Sequence, residues 1–158
     1  MKKSALKRRL GALLCSQRLA VVATIGQGAP YTNLVAFCTT PDLGKIVFAT
    51  MRSTSKYRNL LANPSVSVLV DDRGNSPSDI VDAVTVSATG RAGEAGRDLA
   101  KLLAMFLKKH PYLAGFARSP DCALIVVRPK RYVFISRFQE ASVLELGPRL
   151  RKAKRKGG

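Results

Sequence analysis

The sequence predicts a mainly β, α+β fold: a small barrel, closed or nearly so, of six to seven antiparallel strands with helices packed outside. Three observations carry that reading. Short apolar runs rich in β-branched residues recur at close spacing, as strands do. The turns between the first three are a few residues of Gly, Pro and Asp, too short for the crossover that a parallel pair needs. Helical periodicity occupies only three stretches: the start, a segment after the third strand, and one late in the chain. With 158 residues, 46% of them hydrophobic, the chain is read as one domain over residues 1–146. A basic tail, expected to be flexible, follows at 147–158.

Each element has its own signal. Residues 4–17 carry Leu6, Leu10, Leu13 and Leu14 at helical spacing, with Lys7, Arg8 and Arg9 between them, so an amphipathic helix opens the chain. Leu19 to Ile25 is a β-branched run, and Gly26 to Pro30 is a turn with two glycines. Tyr31 to Thr39 and Lys45 to Thr50 complete a three-stranded meander. Ser65 to Asp71 alternates as a fourth strand. Asp72 to Asp79 is a polar loop. Ala83 to Ala92 is a fifth strand, with Gly90 marking a bulge or close approach. Glu94 to Lys109 places Leu99, Leu102, Leu103 and Phe106 on one helical face. Cys122 to Val127 and Arg131 to Ser136 read as a sixth and a seventh strand, with 137–146 continuing or pairing at the edge.

Between the third strand and the short helix lie Arg52, Ser53, Thr54, Ser55 and Lys56. Two cations and three hydroxyls where a helix begins suit an anion, because the free N–H groups and the helix dipole add to their donors. The same residues equally suit a Ser/Thr N-cap beside two solvated cations. The residues by themselves leave both readings open.

The net charge is +17, and eleven of the 27 cations lie in the first nine and last ten residues. All ten acids fall between Asp42 and Glu145. Such ends suit either nucleic-acid attraction without base reading or plain solubility. Cys15, Cys38 and Cys122 are widely spaced and read as small buried hydrophobes of a reducing compartment. The apolar run after the basic N-terminus is too short for a signal peptide, and no run reaches membrane-spanning length. The expectation is a soluble cytoplasmic protein. The single His, His110, reads as a helix C-terminal residue, and no triad, metal-ligand cluster or Walker loop is present, so no catalytic or metal-binding residue is assigned. An anion site on a barrel without side-chain chemistry of its own points to a bound cofactor.

Phe48-Ala49-Thr50-Met51-Arg52-Ser53-Thr54-Ser55-Lys56, then Asn59-Leu60 and Asn63-Pro64-Ser65-Val66-Ser67, resembles the core motif of the pyridoxamine 5′-phosphate oxidase-like proteins. These are split β-barrels that bind FMN at a homodimer interface. The flanking elements follow in matching order, through Pro30 to Val35, Ala88-Thr89-Gly90-Arg91-Ala92, and Asp121 to Ile125 leading to Arg137-Phe138-Gln139. The resemblance covers residues 5–146. It implies that Asn33, Leu34, Val35 and Ala36 face the isoalloxazine, and that Ala49 and Thr50 border the flavin. It implies that Arg52, Ser53, Ser55 and Lys56 hold the phosphate, with Thr85 near the ring. Arg137, Phe138 and Gln139 would approach the flavin of the partner subunit.

The sequence departs from the oxidase pattern. Tyr31 to Phe37 carries no cation and the chain has no Trp, so vitamin B6 oxidation is not implied. Haem-degrading relatives share the barrel and a His-Pro element, but their C-terminal haem-ligating His has no counterpart here. The resemblance therefore implies an FMN-binding homodimer, an oxidoreductase of unspecified small-molecule substrate. Its alternatives are a flavin carrier or sensor without turnover, a haem-utilisation protein, and a basic-tailed nucleic-acid-binding barrel. FAD, deazaflavin and haem are alternative occupants.

Overall fold

A computed structural model describes residues 1–137 and 140–147 of the chain. Helix α1 (Lys3–Ser16) leads into the meander β1 (Leu19–Gly26), β2 (Ala29–Thr39) and β3 (Ile46–Met51). Helix α2 (Ser55–Ala62) and strand β4 (Ser65–Asp71) follow. Then come α3 (Asp79–Asp82), β5 (Thr85–Glu94), α4 (Leu99–Lys109) and α5 (Ala114–Ala117). Strands β6 (Cys122–Ser136) and β7 (Glu140–Glu145) end the described chain.

The sheet order is β3-β2-β1-β4-β5-β6-β7, with an additional β3–β6 pairing. That pairing closes six antiparallel strands into a barrel and leaves β7 as an extra strand. The 15-residue β6 makes this possible. Its first half pairs with β3, from Met51↔Cys122 to Ile46↔Val127, and its second half pairs with β7, from Arg131↔Glu145 to Ser136↔Glu140. The expected barrel with outer helices is the observed one.

The apolar stripe of α1 (Leu6, Leu10, Leu13, Leu14) joins Val22, Phe37, Phe48, Val68, Ile125 and Phe134 in the barrel core. A second cluster lies outside the barrel, where Leu102 and Phe106 of α4 pack on Cys38, Val47, Leu124 and Val126. Residues 122–127 are thus buried on both faces, which is why they read as a continuous apolar run rather than an alternation. Burying Leu102 and Phe106 contributes about 1.5–3 kcal/mol each.

Several expectations are corrected. The sixth and seventh strands are one. Pro129 looks like a breaker, but it stands opposite Gly90 where the β5–β6 register shifts between Thr89 and Gly90. A missing N–H is harmless where the ladder is already interrupted. The approach there is close: a Cβ on Gly90 would lie 2.2 Å from the Arg128 carbonyl oxygen. The expected Glu94–Lys109 helix begins at Leu99, because Glu94 still belongs to β5 and Gly96, at φ +57°, turns the chain before the helix. The loop after Asp72 contains the short helix α3. Cys38 and Cys122 are buried, but Cys15 is exposed, since Leu13 and Leu14 take the inward positions at that end of α1. Phe138, Gln139 and the tail beyond Gly147 lie outside the described residues.

Candidate functional site

The chain turns sharply at the end of β3, and Thr54 starts α2. Its Oγ1 accepts the backbone N–H of Tyr57 at 3.3 Å, so it is the N-cap. Lys56, one helical position further on than Ser55, turns back toward the barrel. Its Nζ donates to Thr50 Oγ1 at 3.0 Å. Thr50 Oγ1 lies 3.0 Å from Thr54 Oγ1, and Thr54 Oγ1 donates to the Met51 carbonyl at 2.8 Å. The donor count then fixes the chain: ammonium to Thr50, Thr50 to Thr54, Thr54 to the backbone.

Lys56 is 9% exposed and Thr50 2% exposed. No carboxylate pairs with Lys56 among the described residues, and burial pushes its pKa below the usual lysine range. A buried, unpaired ammonium is unfavourable unless something anionic joins it.

This ammonium opens into a groove of about 330 Å³. Leu34, Val35 and Ala36 of β2 and Ala49, Thr50 and Met51 of β3 form one wall. Phe106 of α4 and, after it, Leu113 and Phe116 form the other, with Thr54 and Lys56 at the polar end. The groove is therefore amphipathic: an apolar, partly aromatic slot with one cation and two hydroxyls. Leu34 is 65% exposed and Phe116 39% exposed, so its rim is apolar as well.

Two larger cavities lie elsewhere, of about 460 Å³ beside Cys15, Cys38 and Lys109, and about 400 Å³ beside Ser65, Thr89 and Lys130. Size does not choose between them. The buried cation lacking a carboxylate marks the groove at Lys56.

The expected site residues divide. Leu34, Val35, Ala36, Ala49, Thr50 and Lys56 line one groove. Asn33 lies just outside it on β2, and its Oδ1 is buried without a hydrogen-bond partner. Arg52 points away from the groove. Its Nη1 bonds Glu94 Oε1 at 2.5 Å and Tyr57 Oη at 3.0 Å, and its hydrogen bond holds the Glu94 carboxyl below the usual range. Ser53 and Ser55 belong to Arg58, whose Nη1 reaches the Ser53 carbonyl at 2.7 Å and whose Nη2 reaches Ser55 Oγ at 3.1 Å.

Thr85 and Arg137 sit far from the groove within one chain. Thr85 pairs with Ile135 near the end of β6 that leads to Arg137, whereas the groove borders the Cys122 end. Phe138 and Gln139 lie outside the described residues. The sequence reading counted Thr54 among the hydroxyls of the turn but did not place it against Thr50 and Lys56, and it missed the wall made by Phe106, Leu113 and Phe116. The capping pattern in front of α2 was the available signal for Thr54. His110 caps α4 as expected; its ring is buried, with Nε2 2.8 Å from the Phe37 carbonyl oxygen.

The profile of the pyridoxamine 5′-phosphate oxidase family matches residues 6–136. The chain belongs to the pyridoxamine 5′-phosphate oxidase-like family. Its closed six-stranded barrel with flanking helices is the split barrel of that family. Solved structures share the fold. A haem binding protein from Mycobacterium smegmatis superposes with a TM-score of 0.79 at 18% identity, covering 92% of this chain and 59% of the other. A putative pyridoxamine 5′-phosphate oxidase from Listeria innocua gives 0.66 at 16% identity, covering 82% and 98%. A FAD-binding protein from Mesorhizobium loti gives 0.61 at 19% identity, covering 82% and 90%. The chain thus spans about three fifths of the length of the mycobacterial protein. No curated protein matches the chain in sequence. Solved structures of this fold thus include both a haem-binding and a FAD-binding protein. No helix among the described residues is long and apolar enough to cross a membrane.

Proposed function

We propose that this protein binds FMN in the groove between β2, β3 and the α4–α5 segment, and works as a cytoplasmic homodimeric flavin oxidoreductase. One observation carries the reading: Lys56 is buried without a carboxylate at the polar end of an otherwise apolar slot. A ligand that is flat and aromatic at one end and a phosphate monoester at the other satisfies both halves. Lys56 would bind the phosphate oxygens, with Thr50 and Thr54 fixing the ammonium. Leu34, Val35, Ala36 and Ala49 would border the ring and exclude water, and Phe106 and Phe116 would close the other side. Bound FMN supplies hydride and single-electron transfer, which these side chains do not provide.

The donor set favours flavin over haem. Of the haem-iron ligand types, imidazole, thiolate and phenol are not among the groove-lining residues, which offer only the Met51 thioether. The apolar rim at Leu34 and Phe116 supports a second copy completing the groove. From that copy Thr85 and Arg137 would reach a ligand that they do not reach within one chain.

The test is a titration of the full chain with FMN, riboflavin and haemin, followed by visible absorption. FMN bound well above riboflavin, with the preference lost in Lys56→Ala, is the expected result. Equal binding of the two flavins, or haemin capture with no flavin uptake, overturns it.

A further inference from the structure

The molecule carries a second feature that the groove does not use. Five cations, Lys2, Lys3, Lys7, Arg8 and Arg9, lie at the start of α1, and no acid occurs before Asp42. Lys3, Lys7 and Arg8 are exposed, and Arg9 is set apart by stacking 4.6 Å over the Phe134 ring. The positive end of the helix dipole favours acids in this turn, yet its first turn has none. Lys2 and Lys3 therefore work against the helix dipole, and Lys7 and Arg8, beyond the first turn, are exposed with no acidic ion-pair partner among the described residues.

Further cations lie at the other end of α1. Arg18 follows the helix and stands near Lys109, whose pKa burial lowers first and Arg18 only slightly, and Lys108 borders the same helix beside Gly11 and Leu14. The cations of α1 itself lie within Lys2–Arg9, and the 14-residue helix, about 21 Å long, separates them from Arg18 and Lys108 at its other end. Among the described residues four ion pairs occur, and none involves a cation of α1, Arg18 or Lys108. Ordinary surfaces intersperse both signs. Helix α1 packs on β2, β4 and β7, and β7 leads into the C-terminal sequence, which carries Arg149, Arg151, Lys152, Lys154, Arg155 and Lys156.

We propose that the exposed face of α1, with Arg18 and Lys108, is a binding surface for the phosphate backbone of nucleic acid, contacted without base reading. The helix itself argues against a membrane. An amphipathic helix binds lipid through its apolar face, and here Leu6, Leu10, Leu13 and Leu14 are already buried in the barrel core. What remains outside is Lys3, Lys7, Arg8 and Arg9 among small residues such as Ser4, Ala12 and Ser16, with no large apolar side chain, which suits a polyphosphate.

The experiment measures binding of the full chain to a fluorescent DNA duplex of random sequence across a salt series. Vesicles containing an anionic phospholipid run alongside. The variant is Lys3→Gln/Lys7→Gln/Arg8→Gln. Gln is a good helix former and the three positions are exposed, so thermal melting should hold or rise, which separates lost contacts from lost fold. The expected result is salt-dependent duplex binding. In the variant the slope of log affinity against log salt should shrink by roughly 2–3, from about 0.9 per phosphate contact. An unchanged slope in the variant overturns the assignment to this face, including the case where only removal of residues 148–158 abolishes binding. Stronger binding to the vesicles than to the duplex overturns the nucleic-acid reading.

Discussion

Replacing Lys56 by Met separates two effects that the wild-type ammonium combines. In the free protein the cation is held in a buried place with Thr50 Oγ1 as its partner at 3.0 Å. Met has nearly the same length and keeps the stem packed. The substitution removes one charge-assisted hydrogen bond, about 1.5–3 kcal/mol. Thr50 is not orphaned, because Thr54 Oγ1 stays 3.0 Å away. It also removes the penalty of keeping a charge out of water, several kcal/mol for a buried ion and less at the edge of an open groove. The second effect exceeds the first, so the ligand-free variant should be more stable by about 1–2 kcal/mol. For a chain of this size that raises Tm by roughly 2–8 °C. FMN binding should move the other way. Loss of a charge-assisted bond to phosphate costs about 1.5–3 kcal/mol, a weakening of roughly 10–150-fold. Calorimetric melting of the ligand-free protein and an FMN titration read the two effects separately. A lower Tm with unchanged FMN affinity would refute the reasoning, since Lys56 would then be a structural lysine and not an anion ligand.

Three further outcomes are expected. Thr50→Val deprives the buried ammonium of its hydroxyl and should destabilise the free protein by about 1–3 kcal/mol, read as a lower midpoint in urea; an unchanged midpoint would place Lys56 in water. Gly90→Ala puts a Cβ 2.2 Å from the Arg128 carbonyl, so the bulge must shift; a loss of about 1–3 kcal/mol is expected by thermal melting, and a neutral result would contradict the close approach. Burial lowers the Lys56 pKa in the folded free protein. The penalty is therefore complete below that lowered value and is relieved as pH rises from it toward the unfolded value near 10.5, so stability should rise across this window. Phosphate binding needs the charged form, so FMN affinity should fall over the rising limb of pH while riboflavin affinity should not. Parallel pH profiles for the two flavins would count against Lys56 as the phosphate partner.

Much of the site was legible because its residues are close in sequence. The stretch from Ala49 to Lys56 is one strand end, one turn and one helix start. Local hydrogen bonding decides its shape, and a hydroxyl before a helix announces an N-cap. The sequence also suggested that both cations of the turn serve the same anion, and the structure separates them. Arg52 is drawn off by Glu94, 42 residues away, in a salt bridge of 2.5 Å. No local pattern encodes that partner. Pro129 misled for a similar reason. By itself it ends a strand, but the bulge opposite it at Gly90 removes the need for its N–H.

The sequence alone determined that this is a mainly β chain with helices at its start, after the third strand and late in the chain, because apolar periodicity and turn chemistry act over a few residues. It determined which face of α1 is apolar and where the charge lies. Only the tertiary structure decided the closure of β3 on β6 and the passage of one strand through Pro129. It also decided the meeting of Phe106 and Phe116 with Leu34 in one groove, and that Lys56 has no carboxylate in ion-pair reach among the described residues. Those facts depend on pairings between residues tens of positions apart. Burial of a charge has no meaning until the chain that excludes the water is in place.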